Sequence, residues 1–214
     1  MAISLNSYLT QTQEFLHDQN QSFWTTTELT SYINQARNKI ASVTGCLRYL
    51  DTGVSLTANV ELYPYSGFTQ GANTIDVLGV TVIWGNERIS LQWKPWTEFT
   101  AFLRPWVQFQ QVPFVWSKYG SNAIYVGPKP DQTYATEIDT IQVPNALVDN
   151  TTIEQLIYPF TDPVPYYAAF LAKKKEQSYG EAQDFLRDFS RVLREGVMSA
   201  QSRRIVDIYQ REQY

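Results

Sequence analysis

A chain with one histidine and one cysteine in 214 residues has little to offer nucleophilic or metal chemistry. His17 stands beside Asp18, and Cys46 lies far along the chain. A thiolate–imidazole dyad needs the two groups within hydrogen-bond reach, and nothing local brings them together. At the end of an apolar-periodic stretch, His17 reads instead as the cap of a helix C-terminus, where the dipole favours positive charge. No grouping of His, Cys or carboxylates has metal-ligand spacing, and neither a Walker loop nor a G-x-G-x-x-G fingerprint occurs. Two carboxylates suffice for glycoside hydrolysis, which makes Asp131, Glu137 and Asp139 the acids to weigh. On a strand, however, acids mostly line a solvated face. The expectation is a protein that is not an enzyme and holds no cofactor or metal.

Aromatic residues are the other candidates. Trp84, Trp93, Trp96, Trp106 and Trp116, with Tyr119 and Tyr125, fall within a short span. Flat rings stack on the C–H faces of sugars, and Trp and Tyr also anchor protein interfaces. Alternation with polar neighbours assigns Trp84, Trp93 and Trp116 to a core. Trp96 and Trp106, beside Pro95 and Pro105, are the candidates for exposure at an interface.

Such side chains need a scaffold. Hydrophobic content of 43% with 18% charged residues argues for a folded globular chain. No stretch approaches the roughly 20 apolar residues that cross a bilayer, and no signal peptide or membrane association is expected. A lone cysteine excludes an internal disulfide and suits a reducing cytoplasm. Charge is uneven. Residues 1–50 balance three acids with three bases, residues 51–160 hold ten acids against five bases, and residues 161–214 hold eight against nine. The acidic middle argues against nonspecific nucleic-acid binding, which rests on Lys and Arg.

The elements read as α+β. Leu5, Tyr8, Leu9, Thr12 and Leu16 recur at helical spacing, as do Leu29, Tyr32, Ile33, Ala36, Ile40 and Val43. Thr25-Thr-Thr-Glu28 is a capping-box sequence, and Gly45 supplies the stop. From residue 54 the period changes to two: Val54, Leu56, Ala58, Val60 and Leu62 point one way. Hairpins are expected at 80–93 around Gly85-Asn86 and at 114–126 around Gly120-Ser-Asn. One or two helical turns are expected at 97–103, and a strand at 133–143. Helical pattern returns at 163–178, with Asp162 as N-cap and Pro163 first in the helix. After an interruption at Gly180 it continues at 181–200. The expected organisation is a helical bundle from 1–50 and 161–200, a β-rich antiparallel aromatic insertion at 51–160, and an arm at 201–214. Lys173-Lys174-Lys175 spreads round a helix and reads as a solvated face. The arm carries Arg203, Arg204, Ile205, Val206, Ile208, Tyr209, Arg211 and Tyr214. It is too short to fold alone, and its apolar residues call for a partner's groove or sheet edge.

In this order of elements the chain resembles the head–tail adaptor (connector or head-completion) proteins of tailed bacteriophages. The features that carry the resemblance are the helix pair ending at Gly45, the stretch Pro113-Phe-Val-Trp-Ser-Lys-Tyr-Gly-Ser-Asn-Ala-Ile-Tyr-Val-Gly-Pro-Lys-Pro130, the strand to Val143-Pro144, and the late hairpin from Tyr166 to Ala200. The resemblance implies a virion protein of the head–tail interface, assembled in the host bacterial cytoplasm. It implies a ring, typically of twelve copies, under the portal protein, with a tail or nozzle protein on its far side. DNA would cross the central channel without sequence-specific binding. Carried onto this sequence, it makes 201–214 a portal-docking arm. The hairpin would pack between subunits, with Tyr167, Lys174, Arg187, Arg191 and Arg194 at the contacts. A carbohydrate-binding module, or another tail or baseplate component, is the alternative.

Overall fold

The computed structural model describes residues 3–102, 104 and 109–202, and among these it is a mixed α/β protein with five α-helices and two sheets. The chain divides into two compact units, Met1–Cys46 with Pro144–Tyr214, and Leu47–Val143. Residues 144–160, which the sequence reading places in the β-rich insertion, group with the helical unit.

In the helical unit, α1 (Leu5–Leu16) and α2 (Thr26–Thr44) form where the apolar spacing predicts them. Ser4 caps α1 by accepting from the Ser7 amide, and His17 closes it as a left-handed C-cap at φ 55°. Asp18 then accepts hydrogen bonds from the amides of Ser22, Phe23 and Trp24, which shapes the turn into α2. Thr25 accepts from the Glu28 amide at 3.3 Å, but only half of the capping box forms. The Glu28 carboxylate accepts from Tyr32 and Lys175 instead of reaching back. Gly45, at φ 61°, takes the left-handed position that ends α2.

Helix α4 (Val164–Lys175) begins one residue later than its sequence suggests, with Pro163 rather than Asp162 at the cap. The break before α5 (Tyr179–Ser202) is made by Gln177 in a left-handed conformation, so Gly180 falls inside the helix. Helix α4 buries Val164, Ala168, Ala169 and Ala172 against Leu5, Leu9, Leu29, Ile33, Ile40 and Phe189 in one continuous core. The small alanine side chains let the neighbouring helices approach closely, and Tyr167, Phe170 and Leu171, the apolar face evident in sequence, are left only half-buried.

In the β-rich unit the first sheet is antiparallel throughout. Its order is β1 (Arg48–Asp51), β9 (Tyr134–Gln142), β4 (Thr74–Trp84), β5 (Glu87–Ser90), with β2 (Ser55–Leu56) also paired to β9. The second has the order β3 (Leu62–Pro64), β8 (Ala123–Gly127), β7 (Val115–Tyr119), β6 (Gln92–Trp93), the last pairing being parallel. Val77, Val80, Val82 and Ile138 from one sheet share a core with Tyr63, Trp116, Ile124 and Val126 from the other. The alternation from Val54 does not run on to Leu62. The strand stops after Leu56, and Asn59 turns the chain at φ 64°. Tyr63 and Tyr65 then point inward in place of Val60 and Leu62, which are exposed. The Tyr63 hydroxyl secures the turn by accepting from the Thr57 amide and donating to the Val60 carbonyl. The short helix at 97–103 forms as α3 (Trp96–Phe102).

Candidate functional site

The helical unit leaves a groove open between α2, α4 and α5, about 780 Å³ in volume. Its origin is the width of the apolar stripe on α5. Ala182 and Phe189 are buried, Leu193 packs against the core while only half-buried, and Val197 is half-buried. Leu186 and Met198 stay exposed. Tyr167 and Phe189 pack as tilted rings at a centroid distance of 4.8 Å beside Phe170 and Leu171. On α2, Val43 turns to the groove and is 59% exposed, so it is not part of the buried stripe. Among the described residues, three bases, Lys39, Lys174 and Arg194, line the groove and no acid does.

Of the residues expected at subunit contacts, Tyr167, Lys174 and Arg194 come together here. Arg187 and Arg191 do not. They sit on the exposed flank of α5 in one-turn ion pairs with Asp184 (3.2 Å) and Asp188 (2.9 Å). The three consecutive lysines part in three directions. Lys173 bonds Glu176 and Glu181, Lys174 lies over the Phe170 ring at 5.8 Å, and Lys175 bonds Glu28.

A second feature was not foreseen in the sequence. Residues 144–163 form a long segment without helix or strand, anchored to α2 by Arg37, whose side chain is fully buried. Its guanidinium donates to both carboxylate oxygens of Glu154, with Nη2 at 2.7 Å, and Nη1 donates to Asn34 Oδ1 and the Asn145 carbonyl. Asn34 pairs with both backbone groups of Leu147. Farther along, Pro159 packs over Gly196 of α5, where an added Cβ would meet its ring at 3.4 Å. Burial of the Tyr8 phenol beside Glu154, and then the charge of that carboxylate, push its pKa far up, so it stays neutral. The signal for this anchor was an arginine four residues after Ile33, on the apolar face of α2. Held in this way, the segment turns Val148, Ile153, Ile157 and Tyr158 outward, each at least two-thirds exposed.

In the β-rich unit the tryptophans sort differently from their sequence reading. Trp116 is buried, but Trp84 and Trp93, the last residues of β4 and of the edge strand β6, are half exposed. Trp96 is half-buried rather than free. It packs on Phe99, Tyr119 and Tyr125, with the Arg104 guanidinium 5.4 Å from its centroid. Trp106 and the arm residues Arg203, Arg204, Ile205, Val206, Ile208, Tyr209, Arg211 and Tyr214 lie outside the described residues. Of the three candidate acids, Glu137 and Asp139 on β9 pair with Arg88 and Arg48, and Asp131, before the strand, accepts from the Tyr134 hydroxyl. Among the described residues no cluster of His, Cys, Asp or Glu is arranged to hold a metal ion, and no helix is long and apolar enough to cross a membrane.

The helical unit thus carries an apolar groove edged with cations and an outward-facing apolar segment. These are features of an assembly component. The profile of the SU10 adaptor protein family matches residues 4–210, and the chain belongs to that family of phage head–tail adaptors. It is therefore a structural protein of a bacteriophage. No curated protein matches the chain.

Proposed function

We propose that this protein forms a ring between the phage portal and the tail, with the DNA channel through its centre, and that it has no catalytic activity. The observation that carries the proposal is the open groove of the helical unit, which leaves Val43, Leu186 and Met198 in water. Contiguous apolar surface of this kind marks a site of association. In this reading the two helical pairs act as one bundle that forms the body of the ring. Subunits meet at Tyr167, Lys174 and Arg194, with Arg187 and Arg191 at the margin of the contact. The arm, from Arg203 and Arg204 through Ile205, Val206, Ile208, Tyr209 and Arg211 to Tyr214, docks on the portal. A tail or nozzle protein binds the opposite side, and DNA passes without being gripped, in keeping with the acidic balance of residues 51–160.

Electron microscopy of the protein with its cognate portal tests this proposal. A new ring stacked on the portal is the expected image, and deletion of 203–214 abolishes it while leaving the melting curve unchanged. A well-folded protein that never associates with portal refutes the adaptor role. Exposed Trp84 and Trp93 favour glycan binding as the second reading, and a glycan array with Trp-dependent signal would select it.

A further inference from the structure

The groove and the outward-facing segment 148–158 belong to the same helical unit, and α2 shows how they are disposed. The segment is anchored at Asn34 and Arg37, while the groove takes Lys39 and Val43. Asn34 and Val43 are nine residues apart, which at about 100° per residue places them on opposite flanks of the helix. One flank is concave and apolar with cations at its margin. The other presents exposed Val148, Ile153, Ile157 and Tyr158.

Their charges are complementary. Among the described residues the groove is lined by Lys39, Lys174 and Arg194 with no acid. Residues 144–163 contain Asp149, Glu154 and Asp162 with no base. Glu154 is committed to Arg37, but Asp149 is exposed next to Val148. The Thr151 and Thr152 hydroxyls and amides donate to its carboxylate, which fixes the turn and keeps the charge in place. Two grooves face to face would oppose six cations, so a self-complementary contact through the groove is disfavoured. A head-to-tail contact buries both apolar surfaces and sets acid beside base. Heterologous contacts of this type generate rings when the rotation closes.

We propose that the groove of one copy receives the 148–158 segment of the next, with Ile153 and Ile157 entering between α4 and α5 and Asp149 facing Lys174 or Arg194. This inference rests on the ring reading and assigns its subunit interface. The occupant is a second copy of this chain, and the anchor at Arg37 is a positioning device that holds the segment ready for it.

Disulfide trapping between two different single-cysteine chains provides the test. In a Cys46→Ser background, Ile153→Cys is mixed with Met198→Cys, and in a second pair Ile157→Cys with Leu186→Cys, with and without portal under mild oxidation. All four positions are exposed, and matching circular dichroism and melting curves establish folding. Docking raises the effective thiol concentration to millimolar order, so the mixed dimer should form on the order of a hundredfold faster than either homodimer. Rings visible by microscopy without mixed cross-links in either pair would overturn the interface and leave the ring reading standing. Absence of both rings and cross-links on the portal would overturn both. Homodimers forming as fast as mixed dimers would show an isologous contact and overturn the head-to-tail arrangement.

Discussion

Removing the Arg37 guanidinium should be among the most damaging single changes in the helical unit. Its side chain is fully buried and that of Glu154 is 3% exposed, so Arg37→Met leaves a carboxylate in the core without its counter-ion. Breaking such a pair costs about 3–5 kcal/mol, against a total stability of about 5–15 kcal/mol for a domain. Asn34 Oδ1 and the Asn145 carbonyl also lose a donor, but Asn34 Oδ1 still accepts from the Leu147 amide. Glu154→Leu should cost a similar amount by stranding the cation. The double variant removes both charges together and restores apolar volume, so its loss should be only about 1–2 kcal/mol, mostly from the Asn34 and Asn145 acceptors. Urea denaturation followed by far-UV circular dichroism measures the cycle, with the m-value checked for constancy. Hydrogen exchange provides a local readout. The amides of Leu147 and Leu156, which bond to Asn34 and Glu154, should exchange faster in either single variant. If the single losses simply add in the double variant, or if Arg37→Met costs less than about 1 kcal/mol, the two groups are not the coupled buried pair described above.

The acid limb of stability should depend on Asp18 and Asp149. Hydrogen bonds from the Trp24, Phe23 and Ser22 amides lower the Asp18 pKa, and those from Thr151 and Thr152 lower that of Asp149. A depressed carboxylate stabilises the fold above its unfolded pKa of about 3.9 and loses that contribution as pH falls through the folded value. Asp18→Asn should therefore flatten the fall in melting temperature below about pH 4; an unchanged acid limb would count against its role in the turn. Burial pushes the Cys46 thiol up, so alkylation near neutral pH should be slow until urea is added, and rapid labelling of the native protein would contradict that placement. Trp116→Ala should cost about 3–5 kcal/mol, far more than Trp84→Ala at its half-exposed strand end, and equal losses would mean the burial is misassigned. Gly71→Ala drives a methyl group into the Tyr65 carbonyl and should cost at least about 1–3 kcal/mol by equilibrium unfolding.

Local chemistry was legible along the chain wherever a feature depends on near neighbours. The α2 boundaries follow from Thr25 accepting the Glu28 amide and from Gly45 tolerating positive φ, both settled within a turn of the helix. The β4–β5 hairpin follows from alternation and Gly85, and the β7–β8 hairpin from Gly120. Membership of the adaptor family was likewise accessible, because the order of elements survives in sequence when individual contacts do not.

What the sequence left open is which side of each element is covered, since that depends on partners far along the chain. Arg37 sits on the apolar face of α2, but the partner that makes its burial tolerable, Glu154, lies 117 positions later. Val43 continues an apolar stripe, yet it lines the open groove beside α4 and α5 and stays exposed. Trp84 and Trp93 alternate correctly for burial, but one ends β4 and the other ends the edge strand β6, and both are half exposed. The break after Leu56 shifts the inward phase from Leu62 to Tyr63, because the Tyr63 hydroxyl can satisfy the turn at Thr57 and Val60 and a leucine cannot. Periodicity records that a residue is apolar and on which face it lies. Only tertiary packing, where close contact and paired polar groups must be satisfied together, decides whether that face meets the core, water or a neighbouring subunit.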